Sequence, residues 1–195
     1  TRTLFCGDLF TQTGDGPAIV HDADLIQPAL DAEDLFGATA LTAEGEDDMV
    51  WTIGDNGFEM TLSAQVPRII EREVHEALAP LRRSAGRIDA WAVHPGGRSI
   101  LDRVCSALAL GAHELDDSRA VLREYGNMSS ATVLFVLRRI LDRAAAGKGG
   151  SDGARVLGVA FSPGLTVESA IMTLRVPVLR TALERAHGRD RIAAL

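Results

Sequence analysis

The sequence predicts an α/β fold, and three observations carry that prediction. Val156-Leu157-Gly158-Val159-Ala160-Phe161 is apolar without alternation, the mark of a strand covered on both faces. Three longer stretches, beginning at Pro67, Arg98 and Ser129, repeat apolar residues every three or four positions, as helices with one buried face do. Between the first two of them, the short apolar run from Ile88 to Val93 is halted by His94 and Pro95, so strand and helix alternate.

Taken in order, Thr3 to Phe10 and Ala18-Ile19-Val20 read as two short strands about the turn Gly14-Asp15-Gly16-Pro17. Residues 22–34 carry Asp22, Asp24, Asp31, Glu33 and Asp34 around Pro28 and read as a solvated loop. Ala38 to Ala43 is a strand, Glu44 to Asp48 its acidic turn, and Met49 to Ile53 a second strand. Gly54-Asp55-Asn56-Gly57 is a hairpin signal, and Phe58 to Leu62 alternates out of it, so a β-meander is expected. On pattern alone Met49, Trp51, Phe58 and Met60 are core residues.

Pro67 sits at the favoured first position of a helix whose apolar face is Ile70, Val74, Leu78 and Leu81. Arg82 and Arg83 suit the negative end of its dipole, Gly86 ends it, and His75 falls on its solvated side. Ile100, Leu101, Val104 and Leu108 mark a face of the next helix. Cys105 lies mid-helix beside that face, not at a helix start or in a basic setting, and so is not expected to be a nucleophile. Residues 111–118 read as a polar loop, and Ala120-Val121-Leu122 is too short to assign. The helix from Ser129 presents Val133, Leu134, Leu137, Ile140 and Leu141. Gly147 to Gly153 is glycine-rich but lacks the order of a phosphate-binding loop. Ser162-Pro163-Gly164 then turns the buried strand back into Val167 to Leu174. For Arg175 to Leu195, an accessory helix and a tail both fit.

Composition narrows the function. With 195 residues, 46% of them apolar, the chain can bury one substantial core, and a net charge of −7 is wrong for gripping nucleic-acid phosphates. No apolar run is long enough to span a bilayer and the start lacks a signal-peptide layout, so a cytoplasmic protein is expected. Cys6 and Cys105 have no CxxC spacing and the five histidines are scattered singly, so no metal site is expected.

Two stretches carry the chemistry. In Trp91-Ala92-Val93-His94-Pro95-Gly96-Gly97 a strand delivers a histidine, and Gly96 and Gly97 allow a ligand or backbone to come close before a helix begins. Glu124-Tyr125-Gly126-Asn127-Met128-Ser129-Ser130 repeats the plan, with an asparagine at a second strand-to-helix junction and two serines placed to cap the helix. One imidazole and one carboxamide so placed are a donor pair for a single oxyanion.

His94-Pro95-Gly96-Gly97, Gly126-Asn127-Met128-Ser129-Ser130-Ala131 and Pro163-Gly164-Leu165-Thr166-Val167-Glu168 resemble, in order and spacing, motifs in the C-terminal half of type III polyketide synthases, the chalcone and stilbene synthase family. The likeness runs from about Gly14 to Leu174, with Ser162 where the family usually has the first glycine of Gly-Pro-Gly. It implies a thiolase-like half, a five-stranded mixed sheet flanked by helices, over residues 1–174, with 175–195 outside it. It implies decarboxylative Claisen condensation of malonyl-CoA onto an acyl-CoA starter, with His94 and Asn127 catalytic and no cofactor beyond coenzyme A thioesters as substrates. Met49, Trp51, Phe58 and Met60 then become the wall of the cavity for the growing chain, with Gly96, Gly97, Ser129, Pro163 and Gly164 also lining the substrate site.

In the family the nucleophilic cysteine belongs to the N-terminal half, which implies that this chain acts as a homodimer or with a complementary half carrying that cysteine. A fragment, one subunit of a split enzyme and a truncated relative all fit. Two other functions stay open: a noncatalytic interaction or dimerisation domain that kept the fold, and an acyltransferase of the ketoacyl synthase III kind. Members of that group usually read His-Gln-Ala-Asn and Gly-Asn-Thr-Ser at these places.

Overall fold

The computed structural model describes residues 36–55 and 57–176. The expected strands about Gly14, together with Cys6 and the stretch 177–195, lie outside the described residues. In chain order the elements are β1 (Phe36–Leu41), β2 (Met49–Gly54), β3 (Gly57–Leu62), α1 (Val66–Ala85), β4 (Ala90–Val93), α2 (Arg98–Ala107), α3 (Asp116–Tyr125), α4 (Thr132–Ala145), β5 (Arg155–Ser162) and β6 (Thr166–Thr173). A single 3-10 turn, Ser129–Ala131, precedes α4. No helix among the described residues is long and apolar enough to cross a membrane.

Four strands form one mixed sheet in the order β1-β6-β5-β4, with β5 antiparallel to β6 and parallel to β4. A parallel pair needs a long connection, and here α2, α3 and α4 all lie between β4 and β5. The alternation of side chains across the strands divides the core in two. Trp91, Val93, Leu157, Val159, Val167 and Ile171 face α1 and α2. Ala92, Val156, Ala170 and Met172 face α4. Burial on both faces explains why β5 reads as an unbroken apolar run. On α1, Ile70, Val74, Leu78 and Leu81 are fully buried and Gly86 ends the helix at φ +68°.

The structure corrects the β-meander. Only β2 and β3 pair, as a separate hairpin in which Gly54 faces Gly57, while β1 leaves to become the sheet's edge beside β6. Packing decides this: Ala38 and Ala40 of β1 lie against the α1–α2 core, and the Ser169 hydroxyl donates to the Ala38 carbonyl at 3.1 Å. The main sheet therefore has four strands among the described residues, where five were expected. A second correction concerns 116–125, a helix rather than a polar loop and an unassigned trio. Its inner positions include Ser118, fully buried, and Ala120, so the helical stripe is hidden in hydropathy.

Candidate functional site

His94 is the first residue past β4, and its amide donates to the Val159 carbonyl at 2.7 Å, extending the β4–β5 ladder by one step. Pro95 is buried and stops the strand, and the Gly96 amide closes back on the His94 carbonyl at 3.0 Å. The ladder and this tight turn fix the imidazole. A Cβ on Gly96 would lie 3.7 Å from the His94 ring, so ring and turn are in contact. Neither ring nitrogen has a protein partner among the described residues. Burial pushes the His94 pKa down from 6.5 to about 4, so at neutral pH the ring is uncharged, with one N–H to donate.

Asn127 reaches the same turn. Its Nδ2 donates to the Gly96 carbonyl at 3.1 Å, and its Oδ1 accepts the Ser129 amide at 2.9 Å. These two bonds define which end of the amide is nitrogen, and they leave one N–H of Nδ2 free for a ligand. His94 and Asn127 thus both meet the turn at Gly96.

The setting of Asn127 differs from the strand-to-helix junction expected. It follows α3, in a helix-to-helix connection opened by Gly126 at φ +74°. The capping differs too, since neither Ser129 nor Ser130 caps α4 through its side chain. Thr132, fully buried at the first position of α4, instead secures the connection that precedes the helix: its hydroxyl accepts the Met128 amide at 2.8 Å, donates to the Ser129 carbonyl at 2.7 Å, and lies 3.5 Å from Asn127 Oδ1. Ser129 is held at φ +59°, a conformation uncommon for a residue with a side chain, which its amide bond to Asn127 helps secure. Sequence reading missed Thr132. The available signal was a threonine just after the Asn127 motif, a residue type whose hydroxyl bonds nearby backbone groups.

Gly97 is extended at φ 177° and Gly96 is not in the left-handed region, so the backbone does not demand glycine at either. A Cβ at Gly97 would meet nothing within 4 Å, so packing does not demand glycine there either. Pro163 and Gly164 form the β5–β6 turn, with Gly164 at φ +76° donating its amide to the Met49 carbonyl at 2.7 Å. That bond ties the turn to the β2–β3 hairpin. Met49 is half-buried against the α1–α2 core, while Trp51 and Met60, directly opposite each other, are each about half exposed. Phe58 stands opposite Ile53. Three of the four expected wall residues therefore stand as follows: Met49 packs inward, and Trp51 and Met60 present an open apolar face.

Cys105 lies within α2, partly buried, with its Sγ 3.6 Å from the Leu110 carbonyl. His75 and His113 are exposed beside Glu76 and Asp116 respectively.

The family model for chalcone and stilbene synthases, C-terminal domain, matches residues 35–176. The chain belongs to this family. The match spans every element described above, from β1 to the end of β6. Among solved structures, the chain is similar to PKS-I from the brown alga Ectocarpus siliculosus, with 31% sequence identity and a TM-score of 0.64. That likeness covers 72% of this chain and 39% of PKS-I. The chain is thus a chalcone/stilbene synthase C-terminal domain and spans well under half of that relative's length.

Proposed function

We propose that this C-terminal domain supplies the oxyanion-stabilising half of a type III polyketide synthase site, which acts on malonyl-CoA and an acyl-CoA starter. The observation that carries the proposal is the hydrogen bond from Asn127 Nδ2 to the Gly96 carbonyl, beside the His94 ring. It sets a carboxamide N–H and a neutral imidazole N–H about one turn, both still able to donate. When a malonyl thioester loses CO2, the electrons of the broken C–C bond pass onto the thioester oxygen, giving an enolate. Two fixed donors stabilise that oxygen more than the starting carbonyl, which is what lowers the barrier. The enolate carbon then attacks the acyl thioester on a cysteine, forming the new C–C bond and releasing the thiolate. In this reading that cysteine belongs to the N-terminal half of the family's fold, and the domain works in the cytoplasm as part of a homodimer or with a complementary half.

The test is CO2 release from radiolabelled malonyl-CoA by the chain together with an N-terminal half from the same family. His94→Ala and Asn127→Ala are each expected to slow release by about 100-fold, the usual cost of deleting one oxyanion donor, with the far-UV circular dichroism unchanged. Unaltered rates in both variants would mean that other groups hold the oxyanion.

One observation favours a second reading, a noncatalytic interaction domain. The strands β2 and β3 turn Trp51, Ile53, Met60 and Leu62 to one face, and all four are exposed. An apolar face of this kind suits a partner surface as well as a cavity wall. Absence of CO2 release with any N-terminal half, alongside stable complex formation through this face, selects the interaction domain.

A further inference from the structure

Where the last turn of α1, the approach to β4 and the turn after α2 meet, the structure has an open hollow of about 540 Å3. Its floor is apolar: Trp91 and Leu108 are almost wholly buried, and Ile88 and Leu110 are half-buried. Its rim is cationic, for Arg82 and Arg83 of the last turn of α1 border it and have no acidic partner among the described residues. Glu114 stands on the rim as well, with its carboxylate accepting the Gly111 amide. His75 lies at the edge, 3.5 Å from Glu76. None of the lining residues belongs to the His94 turn or to the connection at Asn127.

One wall of the hollow is fixed by backbone bonds. After α2 the chain turns at Ala109, held at φ +51°, with the Ala109 amide donating to the Ser106 carbonyl at 3.1 Å and the Leu110 amide to the Cys105 carbonyl at 3.0 Å. That turn brings Leu108 and Leu110 to one cavity, and such a strained conformation persists only where its surroundings over-determine it. A basic last turn suits the dipole of α1, which accounts for the arginines on the helix but not for the apolar hollow beside them. The volume falls in the range of roughly 300–1,000 Å3 found for small-molecule sites. Charge narrows the ligand further. Two guanidiniums against one carboxylate leave a single net positive charge, which suits one carboxylate and disfavours a polyphosphate facing Glu114.

We infer that this hollow binds an amphipathic monocarboxylic acid, with its hydrocarbon part on Trp91, Ile88, Leu108 and Leu110 and its carboxylate held by Arg82 and Arg83. Guanidinium forks match the two oxygens of a carboxylate, and the apolar floor rewards a ligand that carries its charge at one end only. The inference stands apart from the oxyanion reading, so either can fail without the other.

The test is titration of the full chain with sodium octanoate, followed by tryptophan emission in a Trp51→Phe background, where Trp91 is the sole tryptophan. A saturable change is expected, because the hydrocarbon seats on the indole. Arg82→Ala and Arg83→Ala are each expected to weaken binding by about tenfold, the usual cost of losing one charge-assisted hydrogen bond. Arg83 is exposed and Arg82 partly so, and neither change removes core packing. Glu114→Gln is expected to tighten binding by about threefold, since it deletes a like charge while its amide oxygen still accepts from Gly111. No saturable response to octanoate overturns the inference, as does equal affinity for 1-octanol or for acetate. Affinity indifferent to Arg82, Arg83 and Glu114, or tighter binding of pyrophosphate than of octanoate, overturns it as well.

Discussion

One component of the acid sensitivity of this fold should come from a single side chain, and its size follows from the setting of His94. In the native state burial holds its pKa at about 4, while in the unfolded chain it returns to 6.5. Between those values the unfolded chain binds a proton that the native chain refuses, so stability rises with pH across the window. The contribution is fully present above pH 6.5 and is lost as pH falls towards 4. At about 1.4 kcal/mol per unit the whole window is worth about 3 kcal/mol, a large share of the 5–15 kcal/mol typical of a domain. Carboxylates titrate in the same range, so the measurement is the difference between wild type and His94→Gln in urea unfolding at stepped pH. That difference should be flat above pH 6.5 and should shrink below it, because glutamine stays neutral throughout. Two parallel stability curves down to pH 4 would refute the reasoning and imply that the imidazole is solvated.

Three further outcomes follow from the same geometry. Thr132→Val deletes the acceptor of the Met128 amide and the donor to Ser129, and should cost about 1–3 kcal/mol in denaturant unfolding, with faster hydrogen exchange at Met128. Gly164→Ala forces a side chain into φ +76° and should cost about 1–3 kcal/mol, with its amide bond to Met49 weakened in exchange experiments. Ile53→Lys, at a position 82% exposed, should leave stability within about 0.5 kcal/mol yet reduce self-association in sedimentation velocity, because it places a charge on the open apolar face of the hairpin.

The sequence revealed elements whose periodicity was undisturbed and concealed those decided by partners far along the chain. Helix α1 was legible from Pro67 to Gly86 because its apolar stripe, basic last turn and terminal glycine agree. Strand β5 was legible because double burial leaves no polar residue in its middle. The partner of β1 was not, since Ala38 and Ala40 serve an edge strand as readily as a meander, and only register with Ser169 and Val167 distinguishes the two. Helix α3 was hidden because its buried positions include serine and alanine, which hydropathy does not mark. Within the site, His94 was foreseeable as the stop of a strand, whereas Asn127 was placed at the wrong kind of junction. Its connection to Gly96 spans 31 residues, and no local pattern records a side-chain bond across that distance.

The same burial that ties His94 to acid sensitivity also limits the chemistry the imidazole can perform within this domain. An imidazole with a pKa near 4 is a neutral donor throughout the physiological range, so under the proposed function it would meet an oxyanion without first shedding a proton. It is a poor source of imidazolium, and therefore does little to turn a thiol into a thiolate until an opposing negative charge arrives. Under the proposed function, a cysteine thiolate of an N-terminal half set against it would supply that charge and raise the pKa of the ring, by the same Coulomb attraction that lowers the pKa of the thiol. On that reading assembly and activation would be one event. The histidine resonance of the isolated chain should stay neutral at pH 6.5, and on complex formation its apparent pKa should move upward when the added half carries cysteine. With serine in its place the shift should vanish, and an equal shift with both would assign it to desolvation or hydrogen bonding rather than to a thiolate.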